Sequence, residues 1–188
     1  LDATSGVVWA LQRPMGDRKW LVDLPAPWSQ PERVSTAMAV GRAALVSDAD
    51  SHFYAMWSER RAGRPPVLQC TRFDGSRWSS PATVLFSDAG ALEPSLAVAG
   101  DRLHAVWRDD AGTAIYHSAA FVRDAYSAGA WDDPVALPLP AEAQSLVSPR
   151  ITADALGNLH AVYAVPFNEG RGVYYTWSTD GGATWSPP

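Results

Sequence analysis

The phrase Trp followed two or three residues later by Pro occurs four times in this chain, as Trp28-Ser29-Gln30-Pro31, Trp78-Ser79-Ser80-Pro81, Trp131-Asp132-Asp133-Pro134 and Trp185-Ser186-Pro187-Pro188. The intervals are 50, 53 and 54 residues. A second register, Trp9, Trp57, Trp107 and Tyr163, recurs at 48, 50 and 56 residues, each member ending a short apolar run. Two registers of one period constrain the chain to an array of similar supersecondary units, since a fixed period of this size is the mark of repeat architectures. Without a gap, Ala44-Leu45-Val46-Ser47-Asp48 through Tyr54-Ala55-Met56-Trp57 lies over Arg150-Ile151-Thr152-Ala153-Asp154 through His160-Ala161-Val162-Tyr163. Ser95 to Ala99 followed by Leu103 to Trp107 repeats the pattern with a slightly shorter turn.

Within each unit, runs rich in Val, Ile, Leu, Tyr and Trp are bounded by Gly, Asp, Pro or Ser, which predicts short strands, and helical periodicity is nowhere sustained. The best-marked unit predicts strands over Ser95 to Ala99, Arg102 to Arg108, Thr113 to Phe121 and Trp131 to Leu137, with Val122 to Ala130 as a loop or one short helical turn. Successive four-stranded antiparallel units predict an all-β fold, a β-propeller. The expected division is a partial blade 1 over 1–36, blade 2 over 37–90, blade 3 over 91–144 and a truncated blade 4 over 145–188. That count suits an incomplete part of a six- to eight-bladed ring. The competing expectation is a four-bladed ring in which the segment near Leu1 to Leu11 completes the Trp185 unit.

Composition narrows the partners. A 47% hydrophobic and 19% charged composition over 188 residues is ordinary for a soluble globular protein. The nine Trp are a heavy load for this length. Each ring, if buried, contributes roughly 4–6 kcal/mol at about 25 cal/mol per Å², so most are expected to be structural. A net charge of −5 with no basic run argues against nucleic acid. Lys19 is the only lysine. Cys70 is the only cysteine, which excludes an intrachain disulfide, and its strand-like surroundings predict a buried, inert thiol. No apolar stretch is long enough to span a membrane, and no signal peptide is seen. Because Leu1 is not an initiator methionine, the chain reads as a mature, trimmed or partial product.

Ser178-Thr179-Asp180-Gly181-Gly182-Ala183-Thr184-Trp185 matches S-x-D-x-G-x-x-W at every specified position. It resembles the Asp box, or bacterial neuraminidase repeat, of sialidase-type propellers. Asp74-Gly75-Ser76-Arg77-Trp78 is one residue shorter between Asp and Trp, and Gly129-Ala130-Trp131 lacks the acid. The resemblance implies a sialidase-like propeller in which Ser178, Asp180, Gly182 and Trp185 are structural and lie away from the catalytic face. It also implies that a sialidase needs three arginines for the substrate carboxylate, a Tyr with a neighbouring Glu, and an acid/base Asp. None of these is assignable in the chain, although Pro149-Arg150-Ile151-Thr152 is similar in part to the family's R-I-P arginine motif.

A looser resemblance, carried by Phe73 to Pro81 and Leu103 to Arg108, is to propeller lectins that bind sugars between blades. It makes Trp107, Arg108, Arg150 and Tyr163 the candidate carbohydrate-binding residues, with interblade packing as the alternative for the two aromatics. The charged turns Glu59-Arg60-Arg61 and Arg108-Asp109-Asp110 follow second strands, where loops can carry function, yet ordinary solvated turns explain them equally. His104 and His160 are equivalent, whereas His52 and His117 stand outside any metal-ligand spacing, so structural histidines, no metal and no cofactor are expected.

The expectation for function is a noncatalytic sialidase-like module of the extracellular space or cell envelope, serving as a scaffold or as a protein- or glycan-binding surface. Its partners would be other chains or missing blades that complete the ring, and a glycan. Two alternatives stand beside it: an exo-sialidase or related glycoside hydrolase with catalytic residues partly outside this chain, and a propeller lectin.

Overall fold

The computed structural model describes residues 31–35, 39–141, 143, 145–167 and 170–188. The chain divides into two compact units, Leu1–Arg33 and Val34–Pro188. Only the last three residues of the first, in irregular structure, are described, so Trp9, Lys19, Trp28, nearly all of blade 1 over 1–36 and the Leu1 to Leu11 segment lie outside the described residues.

The second unit is built from antiparallel meanders. Strands β1 (Val40–Ser47), β2 (Phe53–Glu59), β3 (Val67–Phe73) and β4 (Ala82–Leu85) form one sheet in chain order. Strands β5 (Leu92–Ala99), β6 (Arg102–Arg108), β7 (Ile115–Phe121) and β8 (Val135–Ala136) repeat it, and β9 (Val147–Ala153), β10 (Leu159–Val165) and β11 (Gly172–Ser178) form a third sheet. No α-helix occurs among the described residues. The outermost strand of the second sheet is shorter than the expected Trp131 to Leu137, and residues 122–129 are turns and a bend rather than a helical turn.

The recurrent Trp-to-Pro phrase marks where the third strand is clamped to the segment that follows it. In all three repeats the residue after Trp donates its N–H to the third strand: Ser79 to Arg72 at 2.8 Å, Asp132 to Ala119 at 2.9 Å and Ser186 to Trp177 at 2.8 Å. A buried hydroxyl on the third strand returns a bond to that residue's carbonyl, from Thr71 at 2.7 Å, Ser118 at 2.7 Å and Thr176 at 2.6 Å. A proline beyond the clamp removes a donor just where pairing is interrupted.

The sheets stack face to face, with β1 beside β5 and β5 beside β9. Period-two alternation divides each strand between two interfaces. In the first, Tyr54, Met56, Leu68 and Cys70 meet Leu96, Leu103, Ala105 and Trp107. In the second, Ala97, Val106 and Ile115 meet Ile151, Leu159, Ala161 and Tyr163. The second-strand pattern Leu-x-Ala-x-aromatic therefore faces backward, toward the preceding sheet. Burial pushes the Cys70 thiol up to about 12, which leaves it uncharged at neutral pH.

The pairing registers make Leu68, Ile115 and Val173 equivalent, as they do Cys70, His117 and Tyr175. Leu68 and Ile115 are fully buried, whereas Val173 is 77% exposed, and Val162, Tyr175 and Trp177 beside it are also exposed. One repeat position is thus core in two sheets and surface in the third. Ile115→Ala is expected to destabilise the fold by about 2–5 kcal/mol, and Val173→Ala to stay within about 0.5 kcal/mol. Urea unfolding of both variants checks this, and equal losses would contradict the assignment of the open face.

Candidate functional site

The innermost strands each carry an irregularity near their start, where the β1–β2, β5–β6 and β9–β10 registers shift. The extra residue bends the strand and re-aims the side chains around it. Glu93 and Ser148 occupy this position with φ of 53° and 54°. Glu93 uses the bend to bridge sheets: its carboxylate accepts the Ser148 N–H at 2.7 Å and an Arg108 guanidinium bond at 3.3 Å. Beside it, Arg42 and Arg150 line one cleft of about 440 Å³ with Leu45, Pro94, Ser95 and Leu96. Arg150 is exposed and donates to the Pro149 carbonyl at 2.9 Å.

The charged turns at this end of the sheets are tied down. Arg60 forms a two-pronged pair with Asp110 of the next repeat, and Arg61 bonds Glu59 at 3.0 Å. Asp109 is buried and accepts the N–H and hydroxyl of Thr113 and the N–H of Ala114. The Asp109 carboxylate closes a turn, and that of Asp110 joins two sheets.

The opposite end holds the Ser178 to Trp185 turn. Gly182 donates its N–H to Ser178 Oγ at 2.9 Å, and Ser178 Oγ donates to Asp180 Oδ1 at 2.8 Å. Asp180 accepts the Thr184 hydroxyl at 2.6 Å and its N–H at 2.9 Å, and these bonds hold its carboxyl at about 2. Gly182 has φ of 90°, and a Cβ there would stand 2.0 Å from the His117 ring. Only glycine lets the turn rest on that imidazole. Trp185 donates its indole N–H to the Gly182 carbonyl at 3.2 Å and meets His117 edge-on at 5.4 Å.

His117 and His104 form a buried pair, 3% and 2% exposed, with Nδ1 of His104 3.1 Å from Nε2 of His117. Desolvation, reinforced by the Arg102 charge, lowers His104 to about 4. Desolvation, with His104 alongside, lowers His117 to about 3. The pair lies on a cleft of about 760 Å³ whose walls come from the second sheet, the β9–β10 turn and the Asp180 to Ala183 turn.

The candidate sugar-binding residues are dispersed. Trp107 is 3% exposed in the first interface, stacked on Tyr116 at 6.0 Å, and Tyr163 is 1% exposed in the second, stacked on Tyr174 at 5.8 Å. Both rings are buried in the sheet interfaces, the packing role weighed for these two aromatics beside sugar stacking. Arg108 is half-buried against Glu93, and Arg150 stands apart in the innermost-strand cleft. What sequence reasoning missed is the His104–His117 pair. Thirteen residues separate the two, and only the β6–β7 hairpin register, His104 opposite Ala119 and Val106 opposite His117, brings them together. Among the described residues no group of three or more His, Cys, Asp or Glu converges on a common point, and no helix is long and apolar enough to cross a membrane.

Stacked antiparallel sheets of this kind define a sialidase-like fold, and comparison with solved structures gives the same answer. The chain is similar to a Hadza microbial sialidase, with TM-score 0.57 and 15% identity over 79% of this chain and 37% of that one. It is also similar to a mutant of Trypanosoma rangeli sialidase displaying trans-sialidase activity, with TM-score 0.60 and 17% identity over 86% and 32% of the two chains. A Dyadobacter fermentans protein of unknown function matches with TM-score 0.58 and 12% identity over 78% and 53%. The chain spans about a third of the length of these sialidases. No protein-family model matches it, and no curated protein sequence is significantly similar.

The histidine pair gives the fold a pH dependence. Both rings stay neutral in the folded state to about 4 and about 3, while an unfolded histidine takes its proton near 6.5. The unfolded chain therefore binds more protons in that window, and stability is full above 6.5 and falls as pH drops toward 4. Asp74, Asp154 and Asp180, held at about 2 against 3.8, add to the loss only below 3.8. The denaturation midpoint is expected to fall steadily below pH 6.5, with a shallower slope in His104→Gln; a flat midpoint down to pH 4 would remove the buried neutral pair.

Proposed function

We propose that this chain is part of a sialidase-like β-propeller of six to eight blades, with units 37–90, 91–144 and 145–188 as blades, acting as a noncatalytic scaffold or binding module outside the cell or in its envelope. The observation that carries the reading is the commitment to structure of the carboxylates at the charged turns and of two buried phenols. General acid–base and nucleophilic chemistry need groups free to exchange a proton or to attack. Asp109 caps a turn, Asp110 pairs with Arg60, and Glu93 joins two sheets. Burial pushes the Tyr54 and Tyr163 phenols up to about 12, and each already donates, to Asp48 and to the Pro138 carbonyl. The Ser178 to Trp185 turn serves here as a structural Asp box.

A second reading, an exo-sialidase with further catalytic residues outside this chain, draws on Arg42 and Arg150. Two guanidinium groups on one cleft suit a carboxylate ligand, which takes bidentate bonds from arginine. Hydrolysis of a fluorogenic sialoside by the purified protein separates the readings. No turnover from mildly acidic to neutral pH is expected. Turnover that is lost in Arg150→Ala would establish the enzyme reading and overturn the noncatalytic one.

A further inference from the structure

The repeats depart from one another where the second and third sheets meet. By register, His104 and His117 stand where the first sheet has Tyr54 and Cys70, both fully buried in an apolar cluster. A repeat position that exchanges apolar packing for two desolvated imidazoles loses stability at lower pH and places hydrogen-bonding groups beneath a cleft. The groove on the first sheet beside Trp78 is smaller, about 350 Å³, and Tyr126 forms one of its walls with the Arg72 guanidinium 5.7 Å from its ring centre. The short turn through Gly181 and Gly182 leaves a cleft of about 760 Å³, within the range of roughly 300–1,000 Å³ typical of small-molecule sites.

We propose that this cleft binds a neutral, hydroxyl-rich ligand of the mono- or disaccharide class. His104 lines it while 2% exposed, with Nδ1 committed to His117, which leaves Nε2 to exchange one hydrogen bond with a ligand. His117 is fixed in turn by a hydrogen bond to the Gly182 backbone. On the mouth, Arg102 pairs with Asp132 and supplies donors, and exposed Asp133 supplies acceptors. Leu156, 87% exposed on the β9–β10 turn, gives the C–H face of a sugar ring an apolar neighbour. Three carboxylates, Asp132, Asp133 and Asp180, against the Arg102 guanidinium leave the cleft negative, so anionic sugars are repelled, the reverse of what Arg42 and Arg150 would select on their own cleft. Alternating donors and acceptors beside small apolar surfaces are what vicinal hydroxyl groups on a pyranose require.

The site rests on the binding-module reading but is tested separately from it. Saturation-transfer NMR of the 188-residue chain is run with the methyl glycosides of glucose, galactose, mannose and fucose, and with N-acetylneuraminic acid and glucuronic acid as anionic counterparts. At least one neutral glycoside is expected to receive saturation, with binding weakened about tenfold or more in Asp133→Ala and in His104→Phe. Asp133 is exposed, so its alanine variant keeps the fold if the histidine variant does not. Silence from every neutral glycoside, preference for the anionic sugars, or binding unchanged in Asp133→Ala would each overturn the proposal. Sialoside turnover would overturn the noncatalytic reading and leave this result untouched.

Discussion

Burial of one sheet's second strand against the face of the sheet before it is the interaction on which everything else in this unit depends. A meander of three or four short strands has two apolar faces and cannot be stable alone, because a thin sheet removes too little surface from water. Leu103, Ala105 and Trp107 on one side of β6, and Val106 on the other, give that strand a role in two interfaces at once. Each fully buried Leu, Ile or Val contributes about 1.5–3 kcal/mol, so the stack is held by many such side chains rather than by any single polar contact. The exposed Val173, Tyr175 and Trp177 show the same pattern with its partner face missing among the described residues.

Given that stack, the polar groups divide the labour by end. At the end carrying the β2–β3 and β6–β7 turns, polar contacts run between repeats: Arg60 pairs with Asp110, and the Ser148 N–H donates to the Glu93 carboxylate. At the other end, carboxylates close turns within a repeat: Asp48 accepts the His52 N–H and the Tyr54 phenol, Asp154 accepts the Leu156 and Asn158 N–H groups, and Asp180 holds Thr184. A turn carboxylate bound to two or three donors is ionised and held by the turn that it closes. The cleft above His104 and His117 differs because its acids lie at the mouth and its imidazoles below it.

The period and the strands were legible in the residues, whereas the clamp was not. Trp78, Trp131 and Trp185 marked the period, and the apolar runs that end at Trp57, Trp107 and Tyr163 marked the second strand of each sheet. Short-range chemistry of this kind is written locally, since an Asp two to four residues before its N–H donors, or a Gly at positive φ, needs no distant partner. The Thr71, Ser118 and Thr176 hydroxyls of the same clamp were less visible, because a Ser or Thr in a strand reads as an ordinary polar residue until its carbonyl partner is placed beside it.

The amino-acid sequence by itself determined that this chain is a repeated all-β array, because periodicity, turn residues and burial patterns act over a few residues. Tertiary structure alone decided which copies of a position differ in fate. It buried Trp107 and Tyr163 between sheets, left Val173 in solvent, and drew His104 and His117 into one hydrogen-bonded pair beneath a cleft. Equivalent residues have equivalent local sequence, so nothing local distinguishes them. The distinction comes from what the neighbouring sheet places against each face, and that is set by packing across more than fifty residues of chain.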